Sequence, residues 1–445
     1  MKDAWALAIE ALSWVELENI SASLAMSRSI KQLDINDQRV VAEAHKLMTE
    51  TIRRKNFVDK IVNIALQPKS LSNFNLGVQS FLRLFTYKVK FVGVSKKEAI
   101  RIAKLGRSIL GWRELHPVEE AFAKILALDL DELIKGLPNE EMIALKTFHP
   151  LWFVKYCINL FGQDEALAFL EQNAKIPPTY IRVNSLMGDE DTLVKKIIEA
   201  GISLEKIKSI AFVYRVIDTK VPLVKSQPYN EGFFCIQNLS NCFAVEAIKP
   251  KPGSVILDVC AAPGAKTTHL AQFMENYGEI YSIDYSVRRT NVLRNELTRM
   301  GVRIANPIIA DASRPLPLKV VTDIVLLDPP CSNTGVFWRY PLEKWRIDYA
   351  SIKNAAKIQL MMLNSCAEHV KVNGTLYYTT CSITLEENEL NIERFLANHP
   401  EFKLEDVGLG VGYPGFKGKL ECRRFYPHIH DSNGFFIAKL RRVTP

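Results

Sequence analysis

The sequence contains no C-x-x-C pair, although it holds eight cysteines, at 157, 235, 242, 260, 331, 366, 381 and 422. Eight thiols scattered through 445 residues make neither a disulfide framework nor a zinc ribbon, so reduced cysteines in a cytoplasmic protein are expected. No apolar run approaches the ~20 residues of a membrane-spanning helix. Acidic residues interrupt the apolar pattern of "MKDAWALAIEALSWVELENI", which is therefore not read as a signal peptide. Low-complexity tracts and internal repeats are missing too. A G-x-G-x-x-G fingerprint is not found, and His428 and His430 have no further ligands near them in sequence, so no metal site is expected.

What is present suits a protein of two or three domains: 48% hydrophobic and 24% charged residues, with a net charge of +8. The positive balance suggests an acidic partner, with nucleic acid as the first candidate. Residues 1–140 carry apolar residues at three- and four-residue spacing, as in "DQRVVAEAHKLMTETIRRKNFVDKIVNIAL", with Asp37 as an N-cap, and predict a helical domain. Residues 141–234 mix short helices with the strand "TYIRVNSL" and the helix "EDTLVKKIIEAG", which reads as a small α/β module. From 235 to 445, short β-rich runs alternate with helices, the pattern of a doubly wound parallel sheet. In such sheets ligands bind beyond the carboxyl ends of the strands.

Three stretches fall at those ends. In "LDVCAAPGAKTTHL" a strand ends at Asp258, small residues follow, and a helix starts near Thr267; small residues let a ligand approach the backbone closely. A P-loop would need glycines where Cys260 and Ala265 stand. The following strands end in acids, Asp284 and Asp311, which suit ribose hydroxyls and an adenine amino group. That succession fits S-adenosylmethionine better than NAD. In "LLDPPCSNTG" the two prolines stiffen an elbow after Asp328. An aromatic fourth residue would suggest amino-group methylation, but Cys331 stands there. In "YYTTCSITLEENE" Cys381 closes a further strand and faces the same crevice. A single buried cysteine is usually a small hydrophobe; two at neighbouring strand ends suggest chemistry.

"CAAPGAK", "DPPCSNTG" and "TTCSITLEENE", in this order, resemble the signature motifs of the RNA cytosine-5 methyltransferases. Over its full length the chain is similar to the RsmB (Sun/Fmu) branch. That resemblance implies a Rossmann-like class I methyltransferase domain preceded by an all-α NusB-like domain and a small α/β RNA-positioning module. It implies S-adenosylmethionine as cofactor, bound by Cys260, Ala261, Ala262, Pro263, Gly264, Ala265, Lys266, Asp284, Asp311 and Asp328. It further implies Cys381 as the thiol that adds to carbon 6 of cytosine and Cys331 as an aid to product release. Asp328 would contact the ring near nitrogen 3, and Lys266 would assist, in reach of lowering a thiol pKa. Three positions depart from the family pattern: Ala265 for a second glycine, Asn333 for glycine after P-C-S, and Leu385 for a proline.

The target base must leave its stack. Arg182, Arg339 and Arg346, the last two beside Trp338 and Tyr340, are candidate RNA contacts. Ribosomal RNA is the expected partner, with transfer RNA as the alternative, and a monomer is expected. A non-catalytic RNA-binding or assembly protein is the rival from a different class, which the paired cysteines argue against.

Overall fold

Helices run from Lys2–Glu18 to Gln163–Asn173 with no strand between them, as the apolar spacing requires. The side chains of Ser21, Asp37, Asn75 and Ser95 each accept a backbone N–H from the first turn that follows, satisfying donors the helix itself cannot. The apolar faces meet around Trp5, Leu12, Ile61, Phe81, Phe85 and Phe122. The computed structural model describes residues 1–444 and divides into two units. The first is Met1–Lys175 with Phe337–Arg346; the second is Ile176–Val336 with the chain from Ile347. This division differs from the expected boundaries at 140 and 234. Helices Leu151–Phe161 and Gln163–Asn173 belong to the first unit, and the strands of the expected middle module belong to the second.

Segment 337–346 packs within the helical unit and supplies donors to helix ends. Trp345 donates its indole N–H to the Ile52 carbonyl at 2.7 Å, and Arg346 donates to the Ile20 carbonyl at 2.6 Å. Ile52 lies in the last turn of helix Gln38–Arg53, where carbonyls lack an intrahelical partner, and Ile20 lies in the link that follows helix Lys2–Glu18. Trp338 is fully buried, and its carbonyl accepts from Arg53 at 2.8 Å. Arg346, an expected RNA contact, is engaged here by the carbonyl of Ile20 in the link between the first two helices. Arg339 is half-buried in the same segment.

The second unit holds two sheets. Strands β1 (Thr179–Val183), β2 (Ile202–Lys206), β3 (Val213–Thr219) and β4 (Phe234–Ile236) form an antiparallel sheet of order β2-β3-β1-β4. The larger sheet contains β5 (Val255–Val259), β6 (Glu279–Asp284), β7 (Ala305–Ile309), β8 (Thr322–Leu327), β9 (Val370–Thr380), β10 (Phe402–Glu405), β11 (Tyr413–Pro414), β12 (Arg423–Phe425) and β13 (Phe435–Arg442). Strands β9, β8, β5, β6 and β7 run parallel in that spatial order, and β13 adds to β9 antiparallel. Leu257, Val259, Ile283, Val325, Leu327, Leu376 and Tyr378 are buried in one core, the unbroken apolar character of strands covered on both faces.

Register brings the strand ends level. Val259 lies opposite both Ile283 and Leu327, and Leu327 lies opposite Tyr378. Hence Cys260, Asp284, Asp328 and the Thr379–Cys381 stretch emerge side by side.

Arg182 on β1 has no exposed surface. Its guanidinium donates to Gln237 and Thr268, both at 2.8 Å, and to Gln272. The RNA contact expected there is corrected. Burying a cation requires such a set of acceptors, and these acceptors fasten β1 to helix Ala265–Phe273.

Candidate active site

The loop after β5 turns through two left-handed residues, Cys260 at φ 65° and Gly264 at φ 112°. A Cβ at Gly264 would lie 2.8 Å from the Leu293 side chain, so conformation and space both call for glycine. Ala265 begins helix Ala265–Phe273, where a methyl group costs no strain. Thr267 on that helix donates its hydroxyl to Asp258 at 2.5 Å. Burial pushes the Asp258 carboxyl up to about 7, against the opposing pull of the Thr267 bond and the Lys266 charge. Burial likewise pushes the Cys260 thiol up, which marks it as a small packed side chain rather than a nucleophile.

Asp284 ends β6. It accepts the Ser286 N–H at 3.1 Å and lies 3.3 Å from Arg289, which also donates to the Ala262 carbonyl at 2.6 Å. One guanidinium thus joins the acid to the small-residue loop. Asp311 follows β7 and accepts from the Ser313 hydroxyl at 2.7 Å and its N–H at 3.0 Å. Those bonds hold its carboxyl below the usual range. Two fixed carboxylates, a loop of alanines and a glycine with no room for a Cβ fit an adenosyl cofactor, whose hydroxyl and amino groups need acceptors.

Beyond β8, Asp328 pairs with Lys266 at 2.7 Å and accepts from Thr379 at 2.9 Å. The Lys266 ammonium is engaged by this carboxylate. The sulfurs of Cys331 and Cys381 are 2.7 Å apart, both thiols being free. Their shared hydrogen bond, with burial, pushes the Cys331 thiol well above its ordinary range.

A buried carboxylate that sequence reasoning missed holds the two thiol loops together. Glu387 is fully buried. It accepts from the Ser332 N–H at 2.8 Å, Gln359 at 2.9 Å, Thr384 at 2.9 Å, Ser382 at 2.5 Å and the Ser332 hydroxyl. Ser332 follows Cys331, and Ser382 follows Cys381. Gly335 completes the junction: its N–H donates to the Cys381 carbonyl at 2.9 Å, and a Cβ there would fall 2.1 Å from the Gly434 carbonyl. The structure therefore gathers Cys331, Cys381, Asp328 and Lys266, and leaves Arg182 out. Asp258, Thr267, Thr379 and Glu387 join them. Glu387 sits in the quoted "LEEN" run, but its burial gives no sign in sequence.

Among the described residues, no three His, Cys, Asp or Glu side chains are placed to hold a metal ion, and no helix is long and apolar enough to cross a membrane.

Comparison with known proteins bears on the family and the fold. Residues 245–441 match the family model for 16S rRNA methyltransferase RsmB/F, and residues 149–213 match an RsmF/B-like ferredoxin-like domain. The chain is 34% identical over 64% of its length to the 25S rRNA (cytosine-C(5))-methyltransferase nop2 of Schizosaccharomyces pombe, spanning 49% of that protein. It thus spans about half the length of this curated relative. It is 32% identical to ribosomal RNA small subunit methyltransferase B of Pasteurella multocida, covering 70% of each. A probable ribosomal RNA small subunit methyltransferase B of Bacillus subtilis matches at 27% over 98% of both chains. Among solved structures, the crystal structure of PH0851 superposes with a TM-score of 0.85 at 27% identity over 99% of each chain. NSun6 from Pyrococcus horikoshii, solved with the S-adenosylmethionine analogue SFG, gives 0.62 at 25% identity, covering 66% of this chain and 99% of that one. The motif order, the parallel sheet and these matches together place the chain in the RsmB/F methyltransferase family.

Proposed function

We propose that this chain is an S-adenosylmethionine-dependent RNA methyltransferase that modifies carbon 5 of a cytosine in small-subunit ribosomal RNA through a covalent adduct with Cys381. The observation that carries this reading is the contact between two free thiols at neighbouring strand ends, 2.7 Å apart. S-adenosylmethionine, when bound, supplies an electrophilic methyl group. The 260–266 loop, Asp284, Asp311 and Asp328 would hold it. Carbon 5 of cytosine is a poor nucleophile until a thiolate adds to carbon 6 and makes the ring an enamine. Cys381 forms that sulfur–carbon bond. Asp328, fixed by Lys266 and Thr379, meets the ring near nitrogen 3. After methylation the carbon 5 proton leaves to a base, the ring double bond reforms, and Cys381 departs as thiolate. Cys331, whose thiol stands beside the departing sulfur, assists that release by donating a hydrogen bond to the Cys381 thiolate.

The family match and the whole-length bacterial relative support ribosomal RNA over transfer RNA, and the reading takes the chain as a cytoplasmic monomer. Bisulfite sequencing of total RNA, from cells with and without the gene and with a Cys381→Ala rescue, tests it. Loss of one protected cytosine in small-subunit RNA, unrestored by the alanine variant, is the expected result. A protected cytosine in transfer RNA instead would move the substrate, and no change anywhere would favour a non-catalytic binding protein.

A further inference from the structure

Asn333 occupies a left-handed backbone position, φ 58°, between the two thiol loops. Asparagine tolerates that conformation better than most side chains. Its carbonyl accepts the Val336 N–H at 3.0 Å, which fixes the turn. Its carboxamide oxygen then stands 3.0 Å from Cys381 Sγ and 3.8 Å from Cys331 Sγ. One acceptor thus serves thiols on two different loops. Without it, the polar neighbour of Cys381 Sγ would be Cys331 alone.

We propose that Asn333 is a positioning residue for the Cys381 thiol, holding its sulfur in one rotamer and limiting proton sharing with Cys331. The proposal rests on the reading of Cys381 as nucleophile. A carboxamide suits the task because it is neutral and carries both acceptor and donor. Its oxygen receives the S–H of the resting thiol, and a half-turn about χ2 offers N–H to the thiolate. The remaining titratable groups near the pair are Asp328 with Lys266, joined to β9 through Thr379, and Glu387 beneath Ser332 and Ser382. All are retained in the variants below.

Two substitutions in the full chain test the assignment. Asn333→Gly restores the glycine of the family pattern, keeps the left-handed backbone without strain and removes the carboxamide, so it reads whether this chain has come to depend on Asn333. With small-subunit ribosomal RNA as substrate, kcat is expected to fall about tenfold or more, as misplaced reacting groups cause, while KM for RNA stays within about twofold. Asn333→Asp places a negative charge beside the sulfur. It is expected to raise the pH midpoint of Cys381 alkylation by iodoacetamide, followed by peptide mass spectrometry, by about one unit or more. A structural defect that opens the loops exposes the thiol and lowers that midpoint, the opposite sign. An unchanged kcat in the glycine variant, or an unmoved midpoint in the aspartate variant, overturns the proposal. Cys381→Ala runs alongside: full activity there would reject the nucleophile reading, whereas loss of activity there with an unaffected Asn333→Gly rejects only the role of Asn333.

Discussion

Lys266 Nζ lies 2.7 Å from one carboxylate oxygen of Asp328, and Thr379 donates to the other oxygen at 2.9 Å. Groups following β5, ending β8 and near the end of β9 are thereby fixed against each other. If the lysine acts through this carboxylate, its loss and that of the acid should not add. Lys266→Met and Asp328→Asn are each expected to lower kcat about a hundredfold, and the double variant to be little worse than either. Steady-state methylation of ribosomal RNA by the four proteins checks this. Fully additive losses would mean that Lys266 acts on something other than Asp328.

Glu387 gathers four donors from the two thiol loops and a fifth from Gln359 on helix Tyr349–Ala367. Glu387→Ala leaves the buried Ser332 N–H without its acceptor, whereas the Ser332, Ser382 and Thr384 hydroxyls and the Gln359 amide keep other partners. A loss of roughly 1–3 kcal/mol in unfolding free energy is expected, read by urea denaturation. Both cysteines should also alkylate faster, because the loops that hold them separate. A variant as stable as the parent would show that water satisfies that donor.

The parallel sheet was legible because its strands are apolar throughout and end in acids, and β9 ends in the "TTC" that carries Cys381. Those signals are local. What sequence concealed depends on distant partners. Arg182 in "YIRVN" has the composition of an RNA contact, yet its acceptors Gln237, Thr268 and Gln272 lie 55 to 90 residues away. "VFWRYPLEKWR" likewise reads as a basic, aromatic RNA surface, but Trp345 and Arg346 answer the carbonyls of Ile52 and Ile20. Asn333 was visible as an unusual residue, and only the fold shows that its amide reaches Cys381. Charge and aromaticity signal a need for partners without saying whether the partner is RNA or the chain itself.

Asp258 gives the cofactor side of the site a pH signature. Burial raises its carboxyl from an ordinary 3.8 to about 7, so the folded chain binds the proton more tightly than the unfolded one. The group's contribution to stability is therefore full below about 3.8 and is lost as pH rises to about 7. Asp258→Asn does not titrate. Relative to the parent it should gain stability from pH 4 to 7, by up to ~1.4 kcal/mol per unit, and gain nothing more above that. Thermal melts of both proteins across this range decide it; parallel curves would place the carboxyl in the ordinary range.

Lys344 has no exposed surface, and its ammonium nitrogen has no hydrogen-bond partner among the described residues. Burial, with the nearby charges of Arg53 and Arg54, pushes its pKa well below the ordinary range. The folded chain therefore holds this proton less tightly than the unfolded one, so stability rises with pH toward the ordinary lysine value. Lys344→Met keeps the length of the side chain and removes that cost, as hydrophobic replacement of buried charge often does by ~1–4 kcal/mol. The variant is expected to melt higher than the parent at pH 6 to 7, with the advantage shrinking as pH approaches about 10. A lower melting temperature would mean that Lys344 is held charged by a buried water or anion, and a helical unit whose stability depends on phosphate concentration would identify the anion.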